Sequence, residues 1–397
     1  MQLAKPLLRS WKYLENAIFI FVFCYTMYYV ITAFSSYFWD TLHGEGLITT
    51  FSKHLSDKEY YNCVLAIVLS LVSFFYLSEI VLLVVSVIKK EKSSTWNFGK
   101  VQLIFNQVVR GYKQTFMANY LGELIGKIIL LDVFWKIQPF FQHLSLFTTN
   151  FAWYSWVYAY LVWELSTWVW HYSAHRIRLF WCLHSPHHAP EDLNTTVAWV
   201  HFFAEGFYSS AVQLIILMLL GVQPKMLLVI MAIETSWGTF IHAGERSFKK
   251  GRLGVLHHFI ITPSHHRVHH AKNPLYIDTN FCTFLPFWDW LFGTLQPQRD
   301  EVKLEYGITR KMEPGNFLDF YFGEFVLLWK DIKNAKGIKN KILYLVKPPG
   351  WSPESVEHTA ATVRGNFLMD NPALGLTSKD LLLEKVGKRR LIIINNE

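Results

Sequence analysis

The feature that most constrains this chain is the density of histidine beside its apolar segments. Thirteen of the seventeen histidines fall between residues 171 and 270. They form three motifs, HYSAH (171–175), HSPHH (184–188) and HHRVHH (265–270). One such motif alone is more typical of a polar loop or helix face. Three in one chain, each flanking an apolar segment, favour a metal site instead.

The spacing within each motif predicts how its imidazoles are arranged. His171 and His175 are four residues apart, so on a helix they share one face and can share a metal or bind neighbouring ones. In each H-x-x-H-H motif, we expect the first and second histidines to lie about one turn apart and the third to point elsewhere. The motifs supply more nitrogens than one ion can use, and they predict a two-metal site of Fe or Zn held by His171, His175, His184, His187, His188, His266, His269 and His270.

The composition indicates a membrane protein. Hydrophobic residues make up 52% and charged residues 17% of the chain, against about 25% charged in soluble domains. Segments 17–39 and 62–88 are each long enough to cross the hydrocarbon core as a helix. Basic residues precede the first segment and follow the second, which places both flanks in the cytoplasm. We expect segment 94–119, which is amphipathic, to lie on the membrane surface.

Charge and cysteine patterns exclude several other classes of protein. The net charge of +8 is compatible with basic cytoplasmic loops, and no basic stripe interleaved with aromatic residues indicates a nucleic-acid partner. The four cysteines form no C-x-x-C pair, so neither a zinc ribbon nor a disulfide scaffold is indicated.

Further along the chain the apolar segments continue the helical pattern. Segments 128–147 and 151–170 are apolar, and 196–241 resembles a helical hairpin, whereas strand-like alternation is scarce. The sequence therefore predicts an all-α, multi-pass membrane bundle whose histidine-rich di-metal site faces the cytosol. We divide it into an anchoring region (1–127), a catalytic domain (128–298) and a polar cytosolic C-terminal region (299–397).

Residues 164–295 resemble the fatty acid hydroxylase and sterol desaturase superfamily of membrane di-iron enzymes. The resemblance rests on the ordered motifs HYSAHR, HSPHHAPEDLN, FIHAG, TPSHHRVHH, YIDTNF and FWDWLFGT. These stretches look most like the alkylglycerol monooxygenase branch and its bacterial relatives. The eight clustered histidines match ligand positions of the superfamily. His242, in FIHAG, matches an isolated ligand. His265 is a possible further ligand, and a hydrogen-bonding role is equally open for it. His201, His257 and His258 have no counterpart in that pattern.

Several acidic and amide side chains are candidates for bracing the ligands. Glu164 lies two helical turns before His171 on the same face, where it could accept the second ring N–H of a ligand. Four further residues match polar positions of the superfamily and could equally cap a helix or turn: Asp192, Asn194, Asp278 and Asn280.

The resemblance implies that two irons activate O2 and oxidise a C–H bond of a lipid, giving a hydroxylated product or, beside an ether oxygen, cleavage. The chain has neither a haem-attachment motif nor a dinucleotide fingerprint. Electrons must therefore come from a separate donor, either an electron-transfer protein or a diffusible reductant such as tetrahydrobiopterin. A sterol or fatty-acyl desaturase of the same superfamily is the alternative. A membrane metal transporter or metal-binding protein is the alternative of another class, although transporters place their ligands near the midplane of the spans.

Overall fold

The computed structural model describes residues 152–313 and 316–374, together with positions 78, 81, 145, 146 and 149. Apart from those isolated positions, the predicted segments 17–39, 62–88, 94–119 and 128–147 lie outside the described residues. In the part of the chain that the structure describes, no helix is both long enough and apolar enough to cross a membrane. The multi-pass topology and the cytosolic side of the histidines stay predictions.

The described chain is helical, as the sequence predicts. The helices are α1 (Trp153–Arg176), α2 (Arg178–His188), α3 (Glu205–Leu219), α4 (Pro224–Ile241), α5 (Pro263–His270), α6 (Phe287–Leu291), α7 (Phe317–Asn334), α8 (Gly337–Val346) and α9 (Ala360–Asp370). Short 3-10 turns occupy Thr195–Trp199, Gly254–His258 and Pro372–Leu374. Within these described ranges the only β-type pairing is an isolated bridge between Ala271 and Tyr306.

Helices α1, α3 and α4 form the apolar part of the bundle. The predicted hairpin is present as α3 and α4, and its turn contains Gly221 at a φ of 67°, a conformation that favours glycine. Proline starts α4, where its missing N–H costs no hydrogen bond. The buried side chains that hold these helices together are Ala159, Val162, Trp163, Leu217, Val222, Met226, Leu227 and Ile230.

Helices α1 and α2 meet at a sharp break. Ile177 separates them in an extended conformation, with φ −116° and ψ 117°. The chain therefore turns between His175 and His184, and the histidines of α2 fold back toward those of α1.

The described part of the C-terminal region packs on the helices that carry the histidine motifs. Helix α7 lies against α2, and its Phe317, Phe320 and Tyr321 are buried together with Phe202. Glu324 of α7 accepts hydrogen bonds from Arg310 (2.8 Å) and forms an ion pair with Arg178 of α2 (3.2 Å). Residues 316–370 thus contribute to the surroundings of the histidines, although the predicted boundary at 298 stays untested.

Candidate metal centre

Nine buried histidines converge where four helices end. Helices α1, α2 and α5 each carry their motif in or near the last turns, and His242 is the C-terminal cap of α4. The nine are those predicted from the sequence: His171, His175, His184, His187, His188, His242, His266, His269 and His270. Segments up to 99 residues apart in the chain therefore deliver their imidazoles to one interior region.

The nine imidazoles divide into two groups. In each group, one ligand atom per residue lies within 4.8 Å of every other, which is close enough to share one ion. Group 1 consists of His171, His175, His184, His188 and His269. Group 2 consists of His187, His242, His266 and His270. The nine imidazoles thus form two separate groups in the fold, each of which could hold a metal ion.

The predicted division of the H-x-x-H-H motifs is wrong in one respect. The structure pairs the first and third histidines of each motif, not the first and second. His184 and His188 both belong to group 1, while His187 between them belongs to group 2. The motif HRVHH (266–270) has the converse arrangement. His266 and His270 belong to group 2, while His269 belongs to group 1. The reason is helical: residues four apart are offset by about 40° around the axis and residues three apart by about 60° in the other direction.

Within each group the Nε2 atoms converge at ligand-like separations. In group 2, His242 Nε2 lies 2.9 Å from His266 Nε2, 3.2 Å from His270 Nε2 and 3.3 Å from His187 Nε2. Nitrogens that share one ion at about 2.1 Å lie roughly 3.0–3.4 Å apart, so these separations fit a common ion. Group 1 has His184 Nε2 and His188 Nε2 3.1 Å apart.

Several convergent nitrogens are buried without a hydrogen-bond partner. The Nε2 atoms of His171, His175 and His269, all in group 1, make no hydrogen bond in the structure. Burying a polar atom without a partner is costly, and such atoms are therefore rare in folded proteins. A cation bound by these atoms would remove the cost. The donor set thus fits a metal ion in each group.

One turn of the chain orients three of the five imidazoles of group 1. Asp278 Oδ1 accepts from His175 Nδ1 at 3.2 Å, the carbonyl of Thr279 from His269 Nδ1 at 2.8 Å, and that of Phe281 from His171 Nδ1 at 2.9 Å. With the proton on Nδ1, each Nε2 lone pair is directed into the group, as in other histidine metal sites. The turn contains two left-handed residues, Asp278 and Asn280, both at a φ of 58°. Asp and Asn tolerate that conformation better than other non-glycine residues.

Glu205 orients a fourth imidazole of group 1 and was missed from the sequence. Its buried carboxylate accepts from His184 Nδ1 at 2.6 Å and from His201 Nδ1 at 2.9 Å. His201 in turn stacks on His187 of group 2, with ring centroids 4.7 Å apart. The one available signal was the spacing of His201 and Glu205, four residues apart just before an apolar segment. On a helix that spacing makes two side chains face each other, whereas in the structure His201 lies in the loop that precedes α3.

Backbone carbonyls and Arg267 hold group 2. His187 Nδ1 is 3.2 Å from the carbonyl of Val200, and His242 Nδ1 is 2.6 Å from that of Gly238. Arg267 of α5 is fully buried and donates to the carbonyl oxygens of Ala243, Phe248 and Lys249. Because Ala243 follows His242 directly, these bonds fix the end of α4 against α5. The Arg267 guanidinium therefore positions the end of α4, which carries His242, against α5, which carries His266 and His270.

Burial lowers the pKa of eight of the nine imidazoles and so favours their neutral form. It lowers the pKa of His184 to about 4, although the neighbouring Glu205 carboxylate acts in the opposite direction. Burial likewise lowers the pKa of His242 to about 3. In both cases the low-dielectric interior disfavours the imidazolium. Neutral imidazole is the form that binds metal, so the folded chain presents its ligands ready to coordinate at physiological pH.

The side chains that were expected to brace the ligands differ in what they contact in the structure. Asp278 contacts His175, one of the candidate ligands. Glu164 does not: its oxygens accept the backbone N–H groups of residues 283–285, at 2.7–3.3 Å, and so fix the loop that follows Phe281. Asp192 is 68% exposed and pairs with Arg246 at 3.1 Å, away from both groups. Asn194 caps the 3-10 turn, accepting from the N–H of Thr196 at 3.0 Å.

Asn280 and Asp289 brace the backbone near the ligands. Asn280 Nδ2 donates to the carbonyls of His265 and Gln296, at 2.9 and 2.8 Å. Asp289, which the sequence reasoning did not single out, accepts the N–H of Phe281 and that of Cys282, each at 2.8 Å. Asn280 thus fixes the backbone at His265, next to His266. Asp289 fixes the backbone of Phe281, whose carbonyl accepts from His171 Nδ1.

The remaining histidines lie outside both groups. The Nδ1 atom of His265 accepts the N–H of Thr262 at 3.2 Å and so completes the N-terminal cap of α5. His257 stacks on His265 with ring centroids 4.1 Å apart, and its Nδ1 is 2.9 Å from the Thr262 hydroxyl. His258 is exposed. The structure places His265 in a capping role and not among the convergent nitrogens.

A cavity of about 500 Å³ borders both groups. It reaches His175, His188 and His269 of group 1 and His270 of group 2. Residues 307–310 contribute to its wall, together with residues of α7 and of the segment that follows α8. The side chains that line it are both apolar and cationic: Ile277, Ile308, Leu327, Val363, Arg178, Lys272 and Arg310. The volume lies within the range of ligand pockets.

Comparison with known proteins agrees with this site. Residues 156–294 match the fatty acid hydroxylase family model, a range that lies within the predicted catalytic domain and contains all nine histidines. The chain is 32% identical over 241 residues to an alkylglycerol monooxygenase of Danio rerio, covering 60% of this chain and 51% of that protein. It is 32% identical to the Xenopus tropicalis enzyme of that name, covering 46% and 39% of the two chains. For the Homo sapiens enzyme the identity is 28%, over 54% and 49%.

The chain thus spans about half the length of the curated relatives it matches. No solved structure matches it.

Proposed function

Because this chain belongs, through residues 156–294, to the fatty acid hydroxylase superfamily, we propose that it is a membrane-bound di-iron oxygenase that oxidises a C–H bond of a lipid. The observation that carries the proposal is the division of nine buried histidines into two groups, each with its nitrogens at ligand-like separations. We assign the metal-ligand role to these nine residues and to no other histidine of the described chain.

Two irons held by groups 1 and 2 would activate O2. The electrons for this reaction would come from a separate donor. Overall, one lipid C–H bond, one O2, two electrons and two protons give one hydroxylated lipid and one water. Hydroxylation at a carbon beside an ether oxygen would give a hemiacetal, which collapses to an aldehyde and an alcohol. The relatives named above make an ether lipid the first substrate to test.

The chain's own contribution is to hold neutral ligands in fixed orientations and to limit water. The turn 278–281 and Glu205 fix the tautomers of four imidazoles in group 1, so that little reorganisation is needed when metal binds. Burial shields the nine imidazoles from bulk solvent, and it favours the neutral form of those whose pKa it lowers, such as His184 and His242. The hydrogen-bond acceptors in the turn 278–281 and at Glu205 support the basicity of the imidazoles as well as their orientation.

We assign the reacting segment of the lipid to the cavity beside the histidines. It borders both groups, and Ile277, Ile308 and Leu327 provide an apolar lining for an alkyl chain. The electron donor is an electron-transfer protein or a diffusible reductant such as tetrahydrobiopterin. We place the histidines on the cytoplasmic side of the membrane, where such donors are present.

The test combines metal content with turnover in the purified full chain. We expect about two irons per chain, and O2 consumption only when reductant and lipid are both present. His269→Ala should reduce iron binding in group 1 and His187→Ala in group 2, and both should abolish turnover. His258→Gln is the matched control, because that imidazole is exposed and lies outside both groups. Unchanged iron content and turnover in both alanine variants would refute the proposal.

Isotope labelling separates the remaining alternatives. With ¹⁸O2, a hydroxylase or ether-cleaving enzyme places the label in the lipid product, whereas a desaturase places it only in water. A metal transporter or metal-binding protein would retain metal but consume no O2 with any lipid and reductant. Label in the product of a glyceryl ether would support the ether-cleaving form.

A further inference from the structure

Helix α7 has an apolar face that the fold leaves exposed. Its buried face, which includes Phe317, Phe320 and Tyr321, packs toward α2. Four further apolar residues of the helix are exposed, up to 67% for Trp329, and they are Leu318, Phe322, Val326 and Trp329. Their spacing of four, four and three residues places them within an arc of about 80° on the helix surface. This face is therefore a continuous stripe that the packing of α7 on α2 does not use.

Helix α8, which follows after two residues, repeats the pattern. Ile338, Ile342 and Val346 are spaced four residues apart and are all exposed, with Ile338 at 74%. The end of α8 is attached to the histidine-bearing part of the fold, because the N–H of Arg178 donates to the carbonyl of Lys347 at 3.0 Å. We call the two helices together, residues 317–346, the α7–α8 hairpin.

The end of α7 and the whole of α8 are strongly basic. Five lysines between residues 330 and 347 are exposed, and a sixth is partly exposed: Lys330, Lys333, Lys336, Lys339, Lys347 and Lys341. Asp331 is the only acidic residue among them. A helix with an apolar stripe and flanking lysines is the pattern of segments that lie in the plane of a membrane interface. Lysines also attract such a segment to negatively charged lipid.

We propose that the α7–α8 hairpin docks on an anionic lipid surface, with the two apolar stripes in the headgroup region and the lysines beside the lipid phosphates and carboxylates. This surface lies outside the histidine groups, so the inference does not depend on the chemistry proposed for them. Docking would set the orientation of α2 relative to the bilayer, because Arg178 of α2 is joined both to Lys347 and, through its ion pair, to Glu324 of α7. The cavity wall contributed by α7 would then face a defined depth of the membrane.

Photo-crosslinking in the full chain identifies what covers the hairpin. The photoreactive residue p-benzoylphenylalanine is placed at Trp329 or at Ile342, and the protein is reconstituted into phosphatidylcholine vesicles with or without phosphatidylserine. The matched control position is Tyr344, which is partly buried and packs edge-on against Trp351 with ring centroids 5.4 Å apart. We expect lipid adducts at the two stripe positions, enriched in phosphatidylserine, and a crosslink within the protein at the control position.

The lysines are tested by the double variant Lys336→Gln/Lys339→Gln. The ratio of phosphatidylserine to phosphatidylcholine adducts at Ile342 should fall by about fivefold for each lysine removed. Iron content and turnover measured in detergent should not change, because both lysines are exposed and neither belongs to the histidine groups or to the lining of the cavity. Crosslinks from the stripe to another segment of this chain or to a second copy, or no adduct at all, would overturn the proposal. So would an adduct ratio that the lysine variant leaves unchanged.

Discussion

Replacing Glu205 with glutamine changes the charge behind the metal site while keeping its shape. The Glu205 carboxylate accepts two N–H groups, from His184 Nδ1 at 2.6 Å and from His201 Nδ1 at 2.9 Å. A glutamine amide offers one acceptor oxygen and an NH2 group that donates. At most one of the two imidazoles can therefore keep its acceptor, and the other must rotate or change its tautomer. In either case His184 loses the negative charge that supports its basicity as a ligand.

The expected loss of metal affinity follows from what a hydrogen-bond acceptor behind a metal-bound histidine contributes to binding. Removing a carboxylate behind a metal-bound histidine typically lowers metal affinity or activity 10–100-fold, or about 1.4–2.8 kcal/mol. The short distance to His184 and the burial of Glu205 place this variant toward the larger value, because charge-assisted hydrogen bonds are stronger where water is excluded. Only group 1 contains His184, so one of the two metal affinities should fall and the other should change little.

The assay is anaerobic titration of the metal-free protein with Fe(II) in competition with a chelator, which yields an affinity for each group. The matched control is Asp192→Asn, which removes a carboxylate that is exposed and pairs with Arg246 away from the ligands. Thermal unfolding of the metal-free proteins checks that both variants fold. Two results would refute the reasoning: unaltered group 1 affinity in Glu205→Gln, or an equal loss in the control.

Three further changes test other parts of the site. Arg267→Lys should destabilise the metal-free protein by about 2–4 kcal/mol in chemical denaturation, because a lysine cannot reach all three carbonyl groups that the guanidinium binds. Leu327→Trp should fill part of the cavity and raise KM for a long-chain lipid, with iron content unchanged. Lowering the pH from 6.5 toward 4 should destabilise the metal-free protein, because the unfolded His184 takes up a proton near pH 6.5 while the folded one does so only near its pKa of about 4. That single shift corresponds to about 3 kcal/mol of stability, lost as the pH falls, and denaturation midpoints across the range measure it.

Each of these has its own control and contradicting outcome. Arg252→Lys, at a partly exposed ion pair with Asp300, should cost under about 1 kcal/mol, and an equal cost in both arginine variants would contradict the positioning role of Arg267. Trp329→Leu, on the exposed side of α7, should leave KM unchanged in detergent, whereas an unchanged KM in the cavity variant would contradict the substrate assignment. A denaturation midpoint that does not fall on acidification would contradict the buried neutral state of the imidazoles.

The histidine motifs were sufficient to predict which residues meet. A pair four residues apart on a helix must share a face whatever the rest of the fold does, and this holds for His171 and His175. The helical class and the hairpin at 196–241 were likewise predicted, because apolar periodicity and a Gly–Pro turn are local properties. The resemblance to a known superfamily added His242, whose isolated position carries no spacing signal of its own.

The division of the ligands between two groups depended on tertiary structure. Adjacent residues such as His187 and His188 point in different directions from one helix, and only the positions of the neighbouring helices determine which group each one meets. The same holds for the bracing groups. Glu164 has the right spacing from His171, yet its oxygens are bound by backbone N–H groups that a distant loop delivers.

The sequence by itself thus predicted eight of the candidate ligands and the helices that carry them, and the resemblance added His242. The tertiary structure decided the grouping of the nine imidazoles and what stands behind each one. The physical reason is that the residue type and the helical spacing of the histidines are local properties, which residues close together in the chain determine. The acceptors behind the imidazoles of group 1 are the carboxylates of Asp278 and Glu205 and the backbone carbonyls of Thr279 and Phe281, and a backbone carbonyl carries no signature in the amino-acid sequence.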